Sequence, residues 1–187
     1  YNGCIHSKGH LKLKGKGTLN VTGNSKHAIY SKEYMEVKNL TLNVTSAAKD
    51  ALHCKEYFLM ESGTVTVSSA GSDGIQVELS GTESTGVTTD HEDENTGNFY
   101  MTGGTLKISG YADKAVKADG TVSLTGGTRS FDSSAIQESA GIQSASMTAG
   151  NGSTAIYDLN GRRLQGAARA GLYIVKDGET TRKTIVR

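Results

Sequence analysis

Asp50 and Asp73 lie 23 residues apart in two copies of one phrase, Asp50-Ala51-Leu52 and Asp73-Gly74-Ile75, with Asp113 one register away from the next copy. Carboxylates stacked this way repel unless something neutralises them, and a hard cation with oxygen ligands, such as Ca2+, does so. Lys49 and Lys114 offer local ion pairing as the alternative. At nearly the same spacing run three rows of a different chemistry. The first is His6, Tyr30, His53, Gln76, Lys117 and Gln137; the second is Lys8, Lys32, Lys55 and Glu78; the third is His10, Tyr34, Tyr57 and Asn98. Rings, amides and ammonium groups in parallel rows suit a sugar chain, because aromatic rings pack on pyranose faces and Lys pairs with uronate carboxylates. The same residues also serve an exposed sheet as β-formers and solubilising charges. A third acidic group, Asp90, Glu92, Asp93 and Glu94, could hold another cation, but its spacing is not that of an EF-hand loop and a solvated acidic loop explains it equally.

Catalysis finds less support. A calcium-assisted uronate lyase needs clustered carboxylates for the metal and a Lys or Arg base over the sugar C5 proton. Lys32, Lys55 and Lys117 are of the right type, yet spacing singles none of them out, and a solvated Lys with an ordinary pKa is a poor base at neutral pH. His6 and His53 stand two repeats apart, too far to share one metal.

These rows require a repeating frame, and the apolar residues supply it. Ile5, Ile29, Leu52, Ile75, Val116 and Ile136 form one ladder; Leu11, Met35, Phe58, Phe99 and Val122 a second; Leu19, Leu42, Val65 and Leu106 a third; Val21, Val44, Val67, Ile108 and Phe131 a fourth. Each repeat holds three short runs of alternating hydrophobicity and no helical period, the pattern of strands with one buried face. Three strands per coil, stacked coil on coil, predict a solenoid. The interval between Phe58 and Phe99 is long because about 17 residues, near Gly81 to Gly97, are inserted there as a surface loop. Gly-Gly-Thr at 103–105 and 126–128 marks corners needing positive φ or close backbone approach.

Composition fits. The 187 residues include 24 Gly and no Pro or Trp, and 20 Lys plus Arg against 19 Asp plus Glu leave a net charge of +1, which gives no electrostatic case for a nucleic-acid partner. There is no apolar run of about 18 residues, so no membrane-spanning helix is expected. Cys4 and Cys54 fall two coils apart and are expected to be unpaired small core residues. The chain opens in mid-repeat at Tyr1-Asn2-Gly3, as a mature or C-terminal piece of something longer would.

From Ser153 onward the pattern changes. Ala155 to Leu164 around Asn160-Gly161, and Gly171 to Val186 around Asp177-Gly178, read as two hairpins. The phrases IYDLNGRRL and GLYIVKDGETTRKTIVR resemble the C-terminal sorting domain of proteins exported by the type IX secretion pathway. That resemblance implies an export machinery as partner and an extracellular or cell-surface location.

The repeats carry a second resemblance. KDALHCKEYFLMESGTVTVSSAGSDGI and NFYMTGGTLKISGYADKAVKADGTVSLTGGT resemble a family of secreted carbohydrate-binding right-handed parallel β-helices, similar in fold to pectate lyases, over about residues 2 to 134. It implies binding of cellulose or acidic plant polysaccharide, and calcium sites at the corners. Three corners depart from the Asp-Gly-Ile form: Lys26-His27-Ala28, Lys49-Asp50-Ala51 and Lys114-Ala115-Val116. Residues and resemblances together predict an all-β chain. Residues 1–149 form a right-handed parallel β-helix of about five to six coils, and 150–187 form a small antiparallel β cap. It is expected to be exported, monomeric and polysaccharide-binding, with Ca2+ at Asp50, Asp73 and Asp113 or at Asp90, Glu92 and Asp93. A calcium-dependent polysaccharide lyase and a surface adhesin or structural spacer are the rival expectations.

Overall fold

The computed structural model describes residues 1–79 and 94–138 in full, and beyond them the strands Gln143–Ser144, Thr154–Tyr157, Gly171–Asp177 and Thr180–Val186. Two compact units result, Tyr1–Ser139 and Ala140–Arg187.

In the first unit the chain winds through five coils of three strands. Coil one holds β1 (Gly3–Ser7), β2 (Leu11–Lys14) and β3 (Thr18–Gly23); coil two holds β4 (His27–Ser31), β5 (Met35–Lys38) and β6 (Leu40–Ala47). Coil three holds β7 (Leu52–Lys55), β8 (Tyr57–Met60) and β9 (Gly63–Val67), and coil four β10 (Ile75–Glu78), β11 (Asn98–Met101) and β12 (Thr105–Ile108). Coil five holds β13 (Val116–Ala118), β14 (Val122–Leu124) and β15 (Thr128–Arg129), and β16 (Ile136–Glu138) opens a sixth. Each strand pairs in parallel with its counterpart one coil on. Three sheets follow: β1-β4-β7-β10-β13-β16, β2-β5-β8-β11-β14 and β3-β6-β9-β12-β15. The unit is thus a parallel β-solenoid, whose one described helical feature is a short 3-10 turn at Ser133–Ala135.

The predicted ladders are the observed registers. Ile5, Ile29, Leu52, Ile75, Val116 and Ile136 are successive partners through the first sheet. In the second sheet Phe58 lies against Phe99 with ring centroids 5.0 Å apart, the spacing that coil-on-coil stacking at about 4.8 Å imposes. Cys54 is buried in the same inward row as Ser31 and Val77. Cys4 is not a core residue: it precedes the inward Ile5 by one position and so points out, exposed. Both thiols are free.

The corners behave as the glycines predict. Gly104 and Gly127 take φ of 85° and 81°, and a Cβ on Gly104 would come within 2.7 Å of the Gly63 carbonyl oxygen. Gly74 has a different reason to be Gly. A Cβ there would meet the Ala115 carbonyl oxygen at 2.6 Å and Ile108 Cγ2 at 2.7 Å. Coils two and three carry Ala28 and Ala51 at this position, with the smaller Val44 and Val67 in the register of Ile108.

The second unit is a four-stranded sheet in the order β17 (Gln143–Ser144), β20 (Thr180–Val186), β19 (Gly171–Asp177), β18 (Thr154–Tyr157). β19 and β20 pair antiparallel, with Asp177 opposite Thr180. The sheet is mixed rather than wholly antiparallel, because β17 joins β20 in parallel. Arg162 to Leu164, expected to pair with Ala155 to Leu159, lie outside the described residues. Among the described residues no helix is long and apolar enough to cross a membrane.

Candidate functional site

Two groups of polar side chains stand on adjoining parts of the first sheet: a buried row at the corner before it and an open cavity over its outer face. The corner row is set by backbone pairing. Ala28 N–H donates to the Asp50 carbonyl, Ala51 N–H to that of Asp73 and Gly74 N–H to that of Lys114, at 3.4, 3.1 and 2.8 Å. His27, Asp50, Asp73 and Lys114 therefore occupy one position in four successive coils.

At this corner the two carboxylates have a structural task. Asp73 N–H donates to Asp50 Oδ1 and Lys114 N–H donates to Asp73 Oδ1, each at 3.0 Å. Each Asp thus satisfies a turn amide of the next coil that the strand ladder leaves unpaired. Both are buried, Asp50 at 2% exposure and Asp73 at 0%. Their outer oxygens meet different partners. Asp50 Oδ2 faces His53 Nδ1 at 2.8 Å and His27 Nδ1 at 3.1 Å. Asp73 Oδ2 faces Lys117 Nζ at 3.7 Å, and Lys117 also reaches the exposed Asp113 at 3.5 Å. Burial acts to raise the Asp50 pKa, but the two imidazoles and the Asp73 amide outweigh it and hold the carboxyl well below the usual range. Asp73 is shifted the other way, raised by burial despite the opposing Lys117. Lys117 is raised, chiefly by Asp73.

This donor set does not fit calcium at Asp50, Asp73 and Asp113. Ca2+ requires six to eight oxygen ligands, whereas here each Asp spends one oxygen on an amide and turns the other to nitrogen. Asp90, Glu92 and Asp93 lie outside the described residues.

The rows expected to bind sugar are in the predicted registers. His6, Tyr30, His53, Gln76, Lys117 and Gln137 follow one another across the first sheet. Their rings, however, are not platforms. Tyr30 lies between His6, centroid at 5.0 Å, and His53 at 5.2 Å, and only 8% of it is exposed. Tyr34 lies between His10 at 4.9 Å and Tyr57 at 4.8 Å, nearly parallel to both, and Tyr57 is wholly buried with its hydroxyl donating to Glu36 Oε1 at 3.0 Å. Equivalent rings one coil apart use each other's faces, so the surface receives edges. The expectation that Tyr34 and Tyr57 present faces to a pyranose is corrected on that ground.

What remains accessible is an open cavity of about 360 Å³ lined by Asn2, His6, Tyr30, Lys32, Glu33, Lys55 and Glu56. Its volume is in the range of small-ligand sites. Lys55 is tied to Glu78 Oε2 at 3.5 Å and Glu33 lies 3.7 Å from His10. Lys32 is exposed, and among the described residues its ammonium pairs with no carboxylate. Glu56 holds φ at 69°, a strained value for a non-Gly residue of the kind that gathers at binding sites. Gln76 and Lys117 lie further along the same row, half-buried and outside this cavity. The sequence reading missed Asn2, Glu33, Glu56 and His27. Asn2 belongs to none of the rows read, but Glu33 and Glu56 repeat at 23 residues within Lys32-Glu33-Tyr34 and Lys55-Glu56-Tyr57, and His27 was visible as the imidazole replacing the corner carboxylate.

Fold and site define a class: a parallel β-solenoid with a polar, open cavity on one outer sheet. A family model described as carbohydrate-binding domain-containing protein matches residues 1–165, and the chain belongs to that family. Among solved structures it is similar to a polysaccharide lyase-like protein from C. thermocellum, determined as a gadolinium derivative, at 24% identity and a TM-score of 0.49. The match covers 75% of this chain and 54% of that one, so the chain spans about half the length of that structure. No curated protein matches.

Proposed function

We propose that the chain is a non-catalytic, extracellular module that binds an acidic polysaccharide, seating a short stretch of sugar in the cavity around His6, Tyr30, Lys32 and Lys55. Family membership supports a carbohydrate ligand. The observation that carries the acidic preference is the exposed Lys32 ammonium, which has no carboxylate partner among the described residues and borders the cavity beside Lys55 and the imidazole of His6. A uronate carboxylate gives it one, while Asn2, Glu33 and Glu56 offer hydrogen bonds to hydroxyls.

The lyase alternative required Asp50, Asp73 and a Lys to converge in a groove. Asp73 and Lys117 do approach, but the carboxylates are buried and used by the backbone, and Asp73 strengthens the hold of Lys117 on its proton. A general base needs the opposite shift. Calcium rests on the stacked carboxylates of the sequence and on the family resemblance, and export on the likeness of the tail to a sorting domain.

Calorimetric titration with polygalacturonate and with a neutral glucan, in calcium and in chelator, tests the proposal. Saturable heat with polygalacturonate, weaker heat with the glucan and no ultraviolet absorbance from unsaturated product are the expected results. Rising absorbance would make the chain a lyase. Absence of heat with both sugars would leave a structural spacer, and loss of heat in chelator would bring calcium into recognition.

A further inference from the structure

We propose that His27, Asp50 and His53 form a centre for a divalent transition metal of the zinc type. One ligand atom from each lies within 4.8 Å of the other two. Asp50 Oδ2 stands 2.8 Å from His53 Nδ1 and 3.1 Å from His27 Nδ1. Ligands held at about 2.0–2.1 Å around a tetrahedral ion stand roughly 3.3 Å apart, so an ion would lengthen the two contacts to Asp50 by a few tenths of an ångström, and the two imidazole nitrogens already lie within 4.8 Å of each other.

A second observation is independent of that proximity. His27 is 8% exposed, and its Nδ1 is buried with no hydrogen-bond partner. Its 3.1 Å approach to Asp50 Oδ2 is an ion-pair contact outside hydrogen-bond geometry. An orphaned buried nitrogen is costly without a partner, and a metal ion supplies one that both imidazoles and the carboxylate share.

The surroundings are those of a supported metal site. His53 Nε2 faces Glu78 Oε2 at 3.5 Å, the arrangement in which a carboxylate orients a metal-bound imidazole. The Tyr30 ring stacks against both imidazoles, at 5.8 Å from His27 and 5.2 Å from His53. The ligands sit on β4, on β7 and at the corner before β7, all fixed by the parallel ladder. Two nitrogens and one oxygen favour zinc-like ions over calcium. Three protein ligands leave a fourth position for water. His27 also lines a cavity of about 320 Å³ with Gly3, Cys4, Asn24 and Lys26, which gives the ion a path from solvent.

The test uses the full chain after treatment with chelator, titrated with Zn2+, with Ca2+ and with Co2+ as a spectroscopic probe. We expect one Zn2+ per chain, a thermal midpoint raised by about 5–10 °C at ~100 times the dissociation constant, and the intense visible bands of tetrahedral Co2+. His27→Gln should lose the bands and the shift, Cys4→Ser should keep both, and Ca2+ should give no such shift. No zinc-dependent shift and no Co2+ bands in the unsubstituted chain would overturn the proposal without relying on any variant to fold. Bands retained in His27→Gln, or lost in Cys4→Ser, would overturn it by placing the ion elsewhere.

Discussion

Asp50 and Asp73 occupy one corner in successive coils and spend Oδ1 identically, on the amide of the next coil. They differ in what Oδ2 meets: two buried imidazoles at Asp50, a half-buried ammonium at Asp73. The comparison separates a structural task from a chemical one. The repeat demands a carboxylate at both corners to satisfy a turn amide, whereas the neighbours decide whether the outer oxygen belongs to a ligand cluster or an ion pair. Where the imidazoles stack, nitrogen and oxygen donors converge; one coil on, the Lys117 ammonium already neutralises the carboxylate.

Substitutions should break that symmetry in graded steps. Asp50→Ala removes the acceptor of the Asp73 amide and the partner of two buried imidazoles, and should cost about 3 kcal/mol in denaturant unfolding. Asp73→Ala should cost less, about 2 kcal/mol, because Lys117 can turn to solvent while the imidazoles cannot. If the two costs are equal, the imidazoles contribute nothing and the corners are equivalent. Gly74→Ala should cost about 1–2 kcal/mol through overpacking against Ile108 and the Ala115 carbonyl. Adding Ile108→Val, which recreates the pairing in coils two and three, should recover part of that loss. Lys117→Met should cost less than about 1 kcal/mol, since the ammonium is partly solvated.

The solenoid was legible because its determinants repeat: Ile29, Leu52 and Ile75 recur at one interval, and parallel stacking turns that interval directly into register. The rows at Tyr30, Tyr34 and Tyr57 were legible for the same reason, but their burial was not. Outward register does not mean accessible, because rings about 4.8 Å apart cover one another. The Asp corner suggested calcium because sequence shows stacked carboxylates and not the turn amides they serve. The cavity was legible through Lys32, Lys55, His6 and Tyr30 and, in the repeated Lys-Glu-Tyr phrase, through Glu33 and Glu56, but sequence does not show that these carboxylates face the same cavity as the Lys side chains.

The most direct test of sugar binding compares the unsubstituted chain with Lys32→Ala in calorimetric titration against polygalacturonate at fixed ionic strength. Lys32 is exposed and outside the core, so the fold should be unchanged while affinity falls about tenfold, or ~1.4 kcal/mol. Equal affinity in the two proteins would contradict the placement of the acidic sugar in this cavity.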